Sequence, residues 1–446
     1  MARGPSPDRK PDQQTDYLEL EVETPEGIFV RRIRPAAFLP EDVDRGWAAE
    51  AVTRGVAAYW GLRDFVFRPA LQRRGSANRE LGDTIVVVGP WAASVQVKSR
   101  HTPSDDQRRE RTWLDKKIAE GVRQSLGTIR SLHKAGAVEL ENERGMAVPI
   151  RAADKKWVPV VVVDHPGLES YVPTGDAVVV LRRDWEFLFE QLKSTYAVVE
   201  YLARVHAKPG EIELGREVVR YYELAAADVV APAKPLDPRL GADGNSAPLL
   251  PQAPAPASDL VRVMLEDIAA VAPSEGNDPA RRLDSIAAID AVPVGVRLDL
   301  AEALMKWLDD MGNSEEGMTR WWFRRMIWPD RPYLIFGAAS RHDQLIADSF
   351  SAYVTLRHQQ MLELIPERQD VMTVGVLLTP RSDGLRPWDT SMAATIGDQH
   401  FEPDLRAALE RLWGKPGSET QHAEDEVDEI LDDIAAALEA EAAKNG

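Results

Sequence analysis

Gln96 and Lys98 close the apolar run WAASVQVKS at residues 91–99, and Asp83 stands just ahead of a second run, TIVVVG, at residues 84–89. Residues two apart on a strand project from the same face, so Gln96 and Lys98 point together. Gly89-Pro90 separates the runs, and strands paired around it bring Asp83 to the same end of the sheet. A carboxylate, an amide oxygen and an ammonium then share one small volume. The carboxylate can hold a magnesium ion and an amide or backbone oxygen can fill out its shell. The ammonium can orient a water and steady charge developing on a phosphate. Those are the parts of metal-assisted phosphodiester hydrolysis. Taken singly, each residue also has a plainer explanation: Gln96 and Lys98 as solvated strand-end residues, Asp83 as a turn residue after Gly82.

The elements that must position these residues can be read on either side. DYLELEVETPEGIFVRRIRP alternates Leu18, Leu20 and Val22 onto one face and turns at Pro25-Glu26-Gly27, the pattern of a hairpin. PEDVDRGWAAEAVTRGVAAYWG reads as a helix with a stripe of Ala48, Ala51, Val52 and Tyr59, stopped at Gly61. After the paired strands, Leu114, Ile118, Val122, Leu126, Ile129 and Leu132 recur every three or four residues along a long helix. WVPVVVVD and AVVVLR are two more strands, and a helix runs from Asp184, as its N-cap, to about Arg204. This alternation predicts an α/β fold, a mixed sheet with helices packed on it.

Glu50 in the first helix, Gly82-Asp83, an apolar strand, Gln96-Val97-Lys98 and an amphipathic helix occur here in that order. Over roughly residues 46–132 the chain thereby resembles the PD-(D/E)xK nuclease superfamily and, within it, the Mrr-like restriction endonucleases. The resemblance implies a restriction-endonuclease-like sheet, a metal site of Asp83, Gln96 and Glu50 for Mg2+ or Mn2+, and a catalytic Lys98. Glutamine in place of the second acid is the Mrr-like variant. Leu81-Gly82-Asp83 carries one glycine where that branch has a glycine-rich G-x-D. Read from its own helical wheel, Glu50 falls away from the apolar stripe and fits a solvent-facing residue as well as a ligand. Ser99 and His101 lie beside the motif with no partner visible in the sequence.

Charge is distributed unevenly. The chain carries a formal charge of −18, yet residues 45–134 hold 17 lysines and arginines against 9 aspartates and glutamates, and residues 415–446 hold 2 against 10. Arg68, Arg73, Arg74 and Arg79 fall in what reads as a loop leading to Asp83. Arg100, Arg108, Arg109, Arg111, Lys116 and Lys117 follow Lys98. Such cations can neutralise phosphates on both sides of the site, which points to DNA as partner, although exposed arginines are common on any loop.

Five segments follow from composition. Residues 1–16 are polar and Pro-containing, which predicts disorder, and 17–230 form the nuclease-like domain. Residues 231–258 carry seven prolines and no aromatic or β-branched side chain, as an extended linker would. Residues 259–414 read as a C-terminal α+β domain of unassigned role. In it Trp321, Trp322, Phe323 and Trp328, interleaved with arginines, either stack on bases or fill a core. Residues 415–446 form an acidic tail whose apolar residues Val427, Ile430, Leu431, Ile434 and Leu438 make one helical stripe. The last two segments are expected to serve a protein partner or a second copy. With no cysteine, disulfides, thiolate nucleophiles and Cys-ligated metals are excluded. No run approaches the roughly 20 apolar residues of a membrane helix and no signal-peptide core opens the chain, so a cytoplasmic protein is expected. The expected function is a magnesium-dependent endodeoxyribonuclease in restriction or defence, the alternative being a catalytically inactive nuclease-fold protein that serves assembly.

Overall fold

The computed structural model describes residues 17–24, 27–68, 71–74, 77–80, 83–208, 212–230, 248–249, 259–271, 278–312, 319–328, 330–368, 370–381, 388–399 and 401–414. The chain begins with β1 (Leu18–Thr24), β2 (Gly27–Ile33), α1 (Arg45–Trp60), β3 (Val66–Phe67), β4 (Leu71–Arg74) and β5 (Ala77–Glu80). β6 (Thr84–Val88), β7 (Trp91–Ser99), α2 (Gln107–Ala135), β8 (Ala137–Glu141), β9 (Ala147–Arg151), β10 (Lys156–Asp164) and β11 (Val178–Leu181) follow. Then come α3 (Arg182–Leu192), α4 (Thr195–Ala207) and α5 (Glu217–Val230). The second half holds α6 (Leu260–Ala270), α7 (Pro279–Asp290), α8 (Arg297–Gly312), β12 (Trp321–Met326), β13 (Tyr333–Ala339) and α9 (Gln344–Leu364). It ends with β14 (Thr373–Pro380), β15 (Trp388–Thr395) and α10 (Pro403–Trp413). The protein is therefore of the mixed α/β class.

The first sheet has the strand order β11-β10-β7-β6-β3. β10 runs parallel to both β7 and β11, whereas β6 is antiparallel to β7 and β3. Valine dominates β6, β10 and β11 because both faces are covered, so there is no solvent side to impose alternation. α2 lies on one face, where Leu114 and Ile118 pack on Val161 and Val163. α1, α3 and α4 lie on the other, around Val95, Val97, Val160 and Val162.

Several local expectations are adjusted. α1 buries Ala48, Ala49, Thr53, Ala57 and Ala58, while Tyr59 of the expected stripe is 60% exposed. Alanine lines this helix nearly all round, so the sequence gives its rotation little phase. Contact with α3 sets it instead, and Trp185 Nε1 donates to Thr53 O at 3.0 Å. The single helix expected from Asp184 is two: Lys193 takes a left-handed φ of 48°, and Ser194 caps α4 by accepting from Ala197 N. Asp184 sits in the first turn of α3 and not at its cap. β4 and β5 pair antiparallel where a loop was expected.

The second sheet has the order β12-β13-β14-β15, with only β13 and β14 parallel, joined through α9. The two halves share a core in which Phe65, Val86 and Tyr196 belong to one apolar cluster with Met264, Ile286 and Leu300. Within the proline-rich linker region, Leu249 is buried and its carbonyl accepts from Tyr221 Oη at 3.0 Å. Trp321 and Phe323 stack at 5.6 Å and meet Trp413 edge-on, so these rings take the core reading. The other linker residues, the N-terminal 16 residues and the acidic tail lie outside the described residues. No helix among those described is long and apolar enough to cross a membrane.

Candidate functional site

The antiparallel register pairs Thr84 with Val95, so its continuation sets Asp83 opposite Gln96. Asp83 Oδ2 accepts from Val97 N at 2.7 Å, which fixes the carboxylate against the peptide between Gln96 and Lys98. Gln96 and Lys98 are in register with Val161 and Val163 on β10, whose side chains face α2, and so they face α2 as well. Gln96 is only 2% exposed; its Nε2 donates to Val95 O at 3.4 Å, and its oxygen accepts no hydrogen bond among the described residues.

α2 completes the surroundings of Lys98. Gly121 lets the helix come close, since a Cβ there would stand 2.9 Å from Val161 Cγ1 and 3.5 Å from Lys98 Cε. One turn along, Ser125 and Ser94 exchange hydrogen bonds through hydroxyl and carbonyl. Lys98 Nζ donates to Gln124 Oε1 at 2.6 Å and lies 3.9 Å from Glu120 Oε1. A hydrogen bond from Lys117 outweighs burial at Glu120, and with the Lys98 charge it holds that carboxyl below its ordinary range. Gln124 and Glu120 escaped the sequence reading. Their signal was the small residues Gly121 and Ser125 on the buried face of α2, which mark a close approach to the sheet.

Glu50 is half-buried on α1, in the layer on the opposite face. Among the described residues, Gln96 and Lys98 make no hydrogen bond or ion pair to it. The structure thus brings Asp83, Gln96 and Lys98 to one strand end and leaves Glu50 to approach from the other side.

Beyond Lys98 the strand ends in a buried polar network. Asp164 accepts from Ser99 Oγ at 2.8 Å, Arg45 Nε at 2.9 Å and Arg182 Nε at 2.9 Å. Burial alone would raise this carboxyl, but the Arg182 and Ser99 hydrogen bonds and the arginine charges outweigh it and hold the group low. Ser99, partnerless in the sequence, is thereby a structural tie.

The basic border divides. Arg100 makes a bidentate pair with Glu110 at 2.8 and 3.1 Å and lies 5.3 Å over Trp113. Its hydrogen bonds outweigh burial and, with His165 and Ser104 N, lower the Glu110 carboxyl to about 2. His165 Nδ1 accepts from Gly167 N, so its proton sits on Nε2, facing Glu110 at 3.0 Å. Arg108 and Arg109 are exposed in the first turn of α2, where their amides are capped by Asp106. Lys116 is exposed, and Lys117 pairs with Glu120 at 2.9 Å. Arg73, Arg74 and Arg79 are placed by their backbone in β4–β5, just upstream of Asp83; their side chains lie outside what is described.

Among the described residues no three His, Asp or Glu side chains group as a metal site. The donors on offer at the strand end are the Asp83 carboxylate and the Gln96 amide oxygen, an oxygen pair that suits a hard cation such as Mg2+ and leaves further positions to water or carbonyls. Compared with family models, with curated proteins and with solved structures, the chain matches none.

Proposed function

We propose that the protein is a metal-dependent nuclease that hydrolyses phosphodiester bonds of DNA on a restriction-endonuclease-like sheet. The observation that carries this reading is the 2.7 Å bond from Val97 N to Asp83 Oδ2, which joins the aspartate to the Gln96-x-Lys98 strand. The run α1-β3-β6-β7-α2-β10, with three antiparallel neighbours followed by a parallel strand, supports it at the level of the fold. Asp83 and Gln96 would hold Mg2+ or Mn2+, and Glu50, the third ligand that the resemblance implies, would have to reach round the strand end from the α1 face. When bound, the ion polarises the phosphate and activates water. Lys98 orients the attacking water and offsets charge on the phosphoryl oxygens, and Gln124 fixes where its ammonium sits. The setting, restriction or defence against foreign DNA, rests on the family resemblance alone.

A second reading has its own observation. The Lys98 ammonium is already engaged by Gln124 and Gln96 is almost fully buried, as a retired site serving assembly would allow. Incubating purified protein with plasmid, linear duplex and single-stranded DNA, with Mg2+, with Mn2+ and with chelator, separates the two. Metal-dependent cleavage lost in Lys98→Ala is the expected result. Intact DNA in every combination would leave the assembly reading.

A further inference from the structure

A cavity of about 580 Å³ lies between β2, α1 and α3, within the roughly 300–1,000 Å³ of small-molecule sites. Three rings line it: Trp60 from the end of α1, Phe187 from α3 and Tyr222 from α5. Five cations also border it, Arg31, Arg32, Arg34, Arg183 and Lys193, against two carboxylates, Glu186 and Glu190.

Both carboxylates are already committed. Glu186 takes Arg182 Nη1 at 2.5 Å and Ala37 N at 2.7 Å, and Glu190 pairs with Arg34 at 3.4 Å. Glu19 and Asp259, outside the cavity, pair with Arg32 and Lys193. Arg183 is different. Its Nη2 donates to Gly215 O at 3.0 Å, its carboxylate neighbour Asp184 stands at 3.5 Å, and its Nε is buried with no hydrogen-bond partner. A cavity that gathers five cations against two carboxylates, both already paired, beside three rings suits a ligand that has both a ring and an anionic group, because arginine binds phosphate through paired N–H bonds and rings stack.

We infer that this cavity is a nucleotide-binding site, with the base against Trp60 and Tyr222 and the phosphate on Arg183 and the neighbouring arginines. The site is separate from the Asp83–Lys98 strand end and does not depend on nuclease activity.

Calorimetric titration of the full chain in chelator, with AMP, GMP, UMP, ATP, adenosine and inorganic phosphate as probes, tests it. At least one nucleotide should bind saturably, and phosphate and adenosine should each bind at least about tenfold more weakly than it, since each keeps only half of the contacts. Arg183→Glu and Trp60→Ala should each weaken the nucleotide about tenfold or more, and Lys98→Ala should leave it unchanged. Arg34→Glu, at a side chain 67% exposed, gives a rim variant that does not disturb packing and should weaken binding in the same direction. Phosphate binding as tightly as every nucleotide, nucleotide binding indifferent to Arg183, Trp60 and Arg34, or no binding of any probe would each overturn the assignment.

Discussion

Lys98 spaces its contacts in a way that makes its role testable without unfolding the protein. Among the described residues its ammonium contacts α2, through Gln124 at 2.6 Å and Glu120 at 3.9 Å, and it lies outside the apolar clusters of the core. Cleavage should vanish while stability stays within about 1 kcal/mol, measured by denaturant unfolding beside a plasmid assay. Gln124→Ala, which frees the ammonium without removing it, should lower cleavage by up to about a hundredfold and leave binding intact. Equal activity in both variants and wild type would remove Lys98 from the chemistry. The arginines make a second comparison. Arg108 and Arg109 are exposed, so replacing both with Ala should flatten the salt dependence of DNA binding by a slope of nearly one per lost phosphate contact. Arg100→Ala instead strips the bidentate partner from the buried Glu110, leaving it His165 and Ser104 N, and should cost about 1–3 kcal/mol of stability. A salt slope that moves with Arg100 and not with Arg108 and Arg109 would reverse the assignment. Asp83, Gln96 and Lys98 were legible because strand periodicity is local. Gln124, Glu120 and Asp164 were not, since their partners come from another element and sequence spacing carries no record of which helix turn meets which strand.

At the scale of elements, the valine runs of β6, β10 and β11 could be read directly because burial on both faces leaves one chemistry at every position. Short or strongly polar pieces, β3, β4–β5 and β8–β9, were missed for the opposite reason: two to five residues are too few to show a period. α3 shows how a polar residue can mislead. Asp184 resembles an N-cap in sequence, but it sits inside the first turn, fully buried, and neither carboxylate oxygen has a hydrogen-bond partner. Burial is the main influence on its carboxyl, pushing it up to about 7 against the nearby Arg183 charge, with Glu217 adding in the same direction. A raised folded-state value means that the native protein holds this proton more tightly than the unfolded chain. Stability is then fully present below about pH 4 and is lost as pH rises through about 7. Asp184→Asn removes the ionisation and should be more stable than wild type at pH 8 by a few kcal/mol, the gap closing toward pH 4. Urea unfolding of both proteins at pH 4, 6 and 8 measures it. A gap independent of pH would mean that Asp184 does not titrate in this range.

The whole molecule is held together at the junction of its halves by a buried arginine. Arg297, with 2% of its side chain exposed, donates to Asp290 Oδ1 at 3.1 Å, Asp290 O at 2.6 Å, Val292 O at 3.0 Å and Lys193 O at 3.2 Å. Asp290 in turn accepts Tyr196 N at 2.8 Å through Oδ2 and Ser194 Oγ at 3.1 Å through its carbonyl. The cluster therefore ties the end of α7 and the start of α8 to the α3–α4 break, the place where Lys193 takes its left-handed turn. The proline-rich stretch suggested two separable units, but a shared apolar cluster and the bonds from Arg297 to Lys193 O and from Ser194 Oγ and Tyr196 N to Asp290 join them across the linker. Such a junction should make unfolding cooperative, with wild type giving one denaturant transition whether followed by tryptophan emission or by far-UV circular dichroism. Asp290→Ala leaves the Arg297 charge buried without its counter-ion and should cost about 3–5 kcal/mol. The double variant Asp290→Ala with Arg297→Met, which removes both charges, should recover most of that loss, because a desolvated pair is replaceable by apolar volume where a lone buried charge is not. If the two probes give separate transitions and Asp290→Ala moves only one of them, the halves fold independently and the junction is a contact between domains. If both variants shift a single transition together, the backbone bonds of Arg297 to Lys193 and Val292 hold the junction, and the ion pair only orients them.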